Sequence, residues 1–400
     1  MKNLLTIFAI ALFFIFTACS KEVDSYQLQS TTISGITQAH KRIYFTQQGN
    51  YVPSSFAYSP GDTFVLKKGI DYTYFSMDGI HDITIINEGH VHLLNGFNLA
   101  NCNHVTISGT GDANDFYGFE ISGHTSGDVG IDVNGKSKNI TVNNVSIHNK
   151  TYGFWVKNES NLSCDISFLY PYWYMDSISI HDNKIVNVNQ EGMYLGSTDQ
   201  NNDRPNPCGA NNYPTRLSNI SVFNNIIDST YRGGIQLSGA DKGVNSIYRN
   251  TISRCGYELN SYQGNGIVIG GNAYANIDHN TISNTLCSGI WVLGTGTTRV
   301  RHNNISNSGY LDGHTAGGMQ GISFDVRPSF PFVLSNFRIK SNSIKNHTDK
   351  NDIMIYNTMQ NVSGKSVSGF NTRSNLIYDN NDGKAAIYAQ PGIVYAIQPN

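Results

Sequence analysis

The sequence is short of charge: Asp, Glu, Lys and Arg make up 14% of its 400 residues, and the formal net charge is −2. Such a chain lacks both the basic stripe that holds nucleic acid and a strong field for an anionic membrane face. Cysteine is scarce too, six in all, and the spacing of Cys102, Cys164, Cys208, Cys255 and Cys287 fits no zinc motif. Strong helix formers are few. In their place stand 39 glycines and still more asparagines, the composition of short strands and tight turns. The stretch GTGTTR at 294–299 lacks the Lys-Ser/Thr of a phosphate-binding loop.

Apolar runs are also short. LLTIFAIALFFIF follows Lys2 and ends at Thr17-Ala18-Cys19, too brief for a comfortable membrane span. Small residues before a cysteine resemble a bacterial lipobox. That resemblance implies a signal peptide over 1–18, Cys19 as the lipid-modified N-terminus and a tether over 19–30. Ser20 after the cysteine implies the outer membrane, at its periplasmic or cell-surface side. An exported chain permits disulfides.

One pattern recurs along the chain. It reads Asn-x-Ile, then Gly-φ-x-φ with φ a large apolar residue, as in HDNKIVNVNQEGMYLG and FNNIIDSTYRGGIQLSG. Each unit of roughly 22–30 residues holds three short alternating strands and cannot bury its own apolar face, so units must stack. Three short strands per coil with polar corners resemble a right-handed parallel β-helix, so the fold implied is an all-β solenoid of that kind over 81–400, preceded by a cap and lead-in strands over 31–80. The aligned Asn143, Asn183, Asn225, Asn250, Asn280, Asn303, Asn342 and Asn375 look like the corner ladder of that fold.

The residue between the two inward φ positions of each coil points out. This column runs Trp155, Tyr194, Gln236, Val268, Trp291, Ser323, Met354 and Tyr388, and suits the apolar faces and hydroxyl rims of sugars. Gly192 and Gly196 are expected to leave bare backbone for a ligand. Long loops after this strand, at 157–177 and 197–217, and before it in later coils rise on both sides of the face.

The coils resemble the pectate-lyase-like superfamily, which implies a polysaccharide bound in a cleft along this sheet. A lyase needs a base and a group to neutralise a uronate carboxylate. Lys157 or His314 fits the base, and Arg232 or Arg204 the carboxylate partner. A hydrolase needs two carboxyl groups, for which Asp325 with Glu191 or Asp241 is the better choice. Trp155, Tyr194, Gln236, Trp291 and Arg204 are the expected substrate contacts. The sequence favours the lyase slightly and leaves a non-catalytic glycan binder or scaffold open. The aspartate clusters of calcium-dependent pectate lyases and the signatures of polygalacturonases are missing. No cofactor is evident, and a calcium ion is left open. Cys164 with Cys208, and Cys255 with Cys287, lie where bridges could form. The chain is expected to be a monomer whose partners are a polysaccharide and, through the lipid alone, a membrane.

Overall fold

The computed structural model describes residues 40–356 apart from 54–55, 124–127, 159–164, 199–212, 261, 294–295, 326–334 and 350, together with strands Leu376–Tyr378, Ile387–Ala389 and Ala396–Gln398. The chain is a parallel β-helix. Each full coil gives one strand to each of three parallel ladders, sheets A, B and C, and every such strand pairs in parallel with its counterpart one coil away. Sheets B and C are joined through Tyr72–Asp78 into one 21-stranded sheet. Sheet A holds strands such as Lys138–Asn143, Tyr174–His181 and Arg216–Phe223. Sheet B holds Val145–His148, Lys184–Val188 and Ile226–Thr230. Sheet C holds Val129–Asn134, Tyr152–Val156 and Met193–Leu195. No helix among the described residues is long and apolar enough to cross a membrane.

The repeated motif has a packing cause. Its isoleucines, Ile147, Ile185, Ile227, Ile252, Ile282, Ile305 and Ile344, stand in register down sheet B and are buried. Each contributes about 2–3 kcal/mol by leaving water. A Cβ on Gly234 would lie 2.6 Å from Ile252 Cγ2 and 2.7 Å from the Gly266 carbonyl oxygen. Gly192, Gly266, Gly289 and Gly321 meet the next coil in the same way, so the motif needs glycine where an isoleucine methyl already sits. The expectation that Gly192 and Gly196 bare the backbone to a ligand is therefore corrected: both are buried, and a Cβ on Gly196 would strike the Ser238 carbonyl.

The asparagine ladder runs from Asn183 through Asn225, Asn250, Asn280 and Asn303 to Asn342. Each amide donates to the next Oδ1 at 2.9–3.1 Å. Asn143 is not a member. It pairs with His181, two positions early, and Val145 occupies the ladder position. Asn375 lies outside the described residues. Within 31–80, where a cap is expected, the strands Arg42–Phe45, Thr63–Lys67 and Tyr72–Asp78 already belong to the parallel ladders. Aromatic packing of Phe45 against Tyr51, Phe64 and Phe75 fills this first part of the stack.

Candidate functional site

Sheet C alternates as its sequence requires. Phe154, Val156, Met193 and Leu195 are buried in the stack, while Trp155 and Tyr194 point outward and are half-buried. Further along the column the face closes. Gln236, Val268 and Ser323 are buried, and Ser323 Oγ donates to Gln320 Oε1 at 2.8 Å and meets Ser288 Oγ at 2.8 Å. The expected open track is thus interrupted in its middle coils, while at its far end Met354 is half-buried and Tyr388 is exposed. Trp291, half-buried, stands between Val268 and Ser323 in those middle coils.

The cleft lies where sheet C turns toward sheet A. It encloses about 550 Å³ and is lined by Asn101, Asp132, Asn134, Lys136, Trp155, Lys157, Asn158, Asp165 and Phe168, among others. That volume falls in the range of small-molecule and sugar sites. Lys157 leaves the end of its strand and folds back, so that Nζ stands 3.8 Å from the Trp155 ring centroid and 3.5 Å from that of Tyr194. The side chain is nearly buried. An ammonium held over two π faces away from bulk water is a fixed positive charge beside flat apolar surface. The rings brace each other: Trp155 meets Tyr152 edge-on at 4.6 Å and Tyr194 at 5.2 Å, and Tyr194 Oη is 2.9 Å from Thr198 Oγ1.

Asp132 is the residue that the sequence reading missed. It sits in register with Trp155 on the adjoining strand, in the same outward column one coil earlier. Asn134 Nδ2 donates to Asp132 Oδ2 at 3.1 Å and to Asn98 Oδ1 at 2.8 Å, whereas Asp132 Oδ1 is buried with no hydrogen-bond partner. Burial pushes the carboxyl up to about 6, against the opposing hydrogen bond from Asn134. The signal was available, since Gly130-Ile131-Asp132-Val133 is a Gly-φ-x-φ unit. Its coil carries Phe119 where later coils carry the ladder asparagine, so the full motif did not align.

The other expected residues are dispersed. Arg232 is held by Glu258, through Nε to Oε2 at 2.9 Å and Nη2 to Oε1 at 3.2 Å, with Glu191 Oε1 4.0 Å from Nη1. Its charge is thereby committed within the protein. Glu191 is buried beneath it with Oε2 lacking a partner, and burial raises its carboxyl despite the nearby Arg232 and Lys157 charges. Asp325 is fully buried and lies five coils from Lys157, about 24 Å at ~4.8 Å per strand. His314 is exposed on a small antiparallel hairpin with Tyr310–Leu311, before the same distant strand. Asp241 faces sheet A, where it pairs with the buried Arg216. Neither expected carboxylate pair is therefore assembled, and His314 is not brought to Lys157. Arg204, Cys19, Cys164 and Cys208 lie outside the described residues.

Cys255 and Cys287 are not bridged. Both are buried free thiols, as is Cys102. Cys255 ends a sheet B strand inside the main core, while Cys287 packs with Leu286 and Leu311 under the outer loops.

No family model matches the chain, and no curated protein is similar to it in sequence. Solved structures to which it is similar include an alginate lyase from Paenibacillus sp. str. FPU-7, 14% identical, with a TM-score of 0.42 over 88% of this chain and 94% of that one. The Azotobacter vinelandii mannuronan C-5 epimerase AlgE4 A-module gives 13% identity and a TM-score of 0.42 over 84% and 89%. The periplasmic alginate epimerase AlgG gives 11% identity and a TM-score of 0.39 over 90% and 86%. Likeness at this level assigns no role to any residue here.

Proposed function

We propose that the cleft beside Trp155 and Lys157 binds an acidic polysaccharide and cleaves it by β-elimination. The observation that carries this reading is the Lys157 ammonium, held over two ring faces, in one cleft with the Asp132 carboxyl, which burial pushes up to about 6. Sugar rings stack on Trp155 and Tyr194, and Lys157 meets the uronate carboxylate. That contact stabilises the negative charge that develops when the neighbouring carbon loses its proton.

Asp132 is the better base than either residue expected from sequence. A carboxylate with a pKa near 6 is mostly ionised at pH 7, yet more basic than an ordinary one. It takes the proton from the carbon bearing the carboxylate. The adjacent carbon–oxygen bond to the leaving sugar breaks, and a carbon–carbon double bond forms between the two carbons. The leaving oxygen takes a proton from the Tyr194 hydroxyl or from water. The hydrolase alternative has less support, because Asp325, Glu191 and Asp241 stand apart and are buried or paired.

The test is incubation with a panel of acidic and neutral polysaccharides, following unsaturated uronate absorbance and reducing ends together. Both signals rising supports the lyase. Reducing ends alone would replace it with a hydrolase, and binding without either product would leave a glycan-binding protein. The proposal includes export: the leader over 1–18 directs lipid attachment at Cys19 and retention at the outer membrane. Incorporation of labelled fatty acid into the chain, lost on Cys19→Ala, checks that part separately.

A further inference from the structure

On the corner between sheets A and B, away from the cleft, two imidazoles and a carboxylate converge. His279 Nδ1 lies 2.8 Å and His302 Nδ1 3.1 Å from the same oxygen, Asp278 Oδ1. The potential ligand atoms all lie within 4.8 Å of one another. We propose that Asp278, His279 and His302 form a site for a borderline divalent transition ion such as Zn2+.

The fold imposes the arrangement. Each histidine immediately precedes a ladder asparagine, in Asp278-His279-Asn280 and Arg301-His302-Asn303. The amide bond from Asn280 to Asn303 at 2.9 Å fixes the register of the two coils. Both histidines take the same left-handed corner conformation, with φ of 55° and 54°. Their rings therefore stack one coil apart, with centroids 4.7 Å apart and planes inclined at 23°. Arg301 Nη2 donates to Asp278 Oδ2 at 2.7 Å, which orients the carboxylate and leaves Oδ1 to the imidazoles.

The distances suit an ion. Bonds of about 2.1 Å at a tetrahedral angle separate ligand atoms by about 3.4 Å, so small side-chain shifts complete the site. Two imidazole nitrogens and one carboxylate oxygen select zinc, copper or nickel over calcium or magnesium, which prefer oxygen donors. A solvent molecule takes the fourth position, since both rings are largely exposed.

Two other histidine–carboxylate groups show what distinguishes this one. His90 and His148 take opposite oxygens of Glu120, each at 2.8 Å. His81 and His104 likewise take opposite oxygens of Asp82, at 2.9 and 3.4 Å. Only at Asp278, among the described residues, do both rings approach the same carboxylate oxygen, so that three donor atoms of three residues gather within 4.8 Å of one another.

Isothermal titration of the purified chain with Zn2+ alone tests the site, on the natural sequence, on His279→Asn, on His302→Asn and on the double variant. Asparagine holds this corner conformation at Asn144 and Asn224, so the variants keep the fold, which circular dichroism verifies. The expected result is one ion per chain, bound at least tenfold more weakly by each single variant, and a Zn2+-dependent rise in melting temperature absent from the double variant. Absence of binding by the natural chain, or an equal titration and thermal shift in the double variant, would overturn the assignment.

Discussion

Asp132 and Trp155 stand in register on neighbouring strands of sheet C, so the carboxyl with a partnerless oxygen and a broad aromatic face share one outward column. Nothing in the packing of the coil requires an acid there. Other coils place Gln236, Val268 and Ser323 in the same column and bury them without a charge.

Replacing Asp132 by asparagine should therefore stabilise the fold while abolishing turnover. The folded carboxyl titrates near 6, above its ordinary 3.8, so the charged form costs stability. That cost is fully present above pH 6 and is relieved as pH falls through 6 toward the unfolded value. A shift of about two units corresponds to roughly 3 kcal/mol at most, and about 1–3 kcal/mol is expected from the substitution at pH 7. Denaturant unfolding at pH 7 and pH 4.5 measures it: the variant's advantage should shrink at the lower pH. A destabilised variant would show that Asp132 is a structural acid instead.

Lys157 and Trp155 should separate kinetically. Lys157→Met keeps most of the stem that packs on the rings but removes the charge. On the proposed chemistry, kcat/KM falls at least a hundredfold, about 2.7 kcal/mol of transition-state stabilisation, with most of the loss in kcat. Trp155→Ala removes a stacking face and should raise KM about tenfold with a smaller effect on kcat. Initial rates of double-bond formation on an acidic polysaccharide distinguish the two. If both variants lost only affinity, Lys157 would be a binding residue and the catalytic assignment would fail.

The solenoid was readable in the sequence because its contacts repeat. Asn-x-Ile followed by Gly-φ-x-φ encodes a corner amide, a core isoleucine and a glycine that yields space to the next isoleucine. All three contacts recur from Asn183 to Asn303. The site was less legible because it sits where the repeat is imperfect. Phe119 and Val145 occupy the ladder position there, and Asp132 occurs once. Burial of Ser323 also involves Gln320 and, from the preceding coil, Ser288, which alternation along a strand does not encode.

The ladder itself makes a stability prediction. Asn250 Nδ2 donates to Asn280 Oδ1 and to the carbonyls of Val222 and Tyr248, while its Oδ1 accepts from both the backbone N–H and the amide of Asn225. Asn250→Ala leaves buried donors and acceptors in both neighbouring coils without partners, at about 1–3 kcal/mol for each one left unsatisfied. A loss of about 3 kcal/mol or more is expected in denaturant unfolding. Gly234→Ala should cost a similar amount by a different route, forcing a methyl against Ile252 and the Gly266 carbonyl. A loss below 1 kcal/mol for Asn250→Ala would mean that water replaces the amide and that the ladder is not a main source of stability.

Cys255 and Cys287 should behave as independent, unreactive thiols. Burial pushes Cys255 up to about 12 and Cys287 up to about 11, so almost no thiolate exists at neutral pH. Cys255 also aligns with Thr230 and Thr285 in the sheet B ladder, a position filled by a small side chain in each coil. Thiol-specific reagents should leave both untouched in the folded chain and label both after unfolding without reductant. Peptide mapping of the alkylated protein reads each cysteine separately. Recovery of a Cys255–Cys287 cross-linked peptide from the unreduced chain would refute the free-thiol assignment. With both thiols free, the loops above Cys287 depend on the small apolar cluster of Leu286 and Leu311, and Leu311→Ala should loosen them without unfolding the coils.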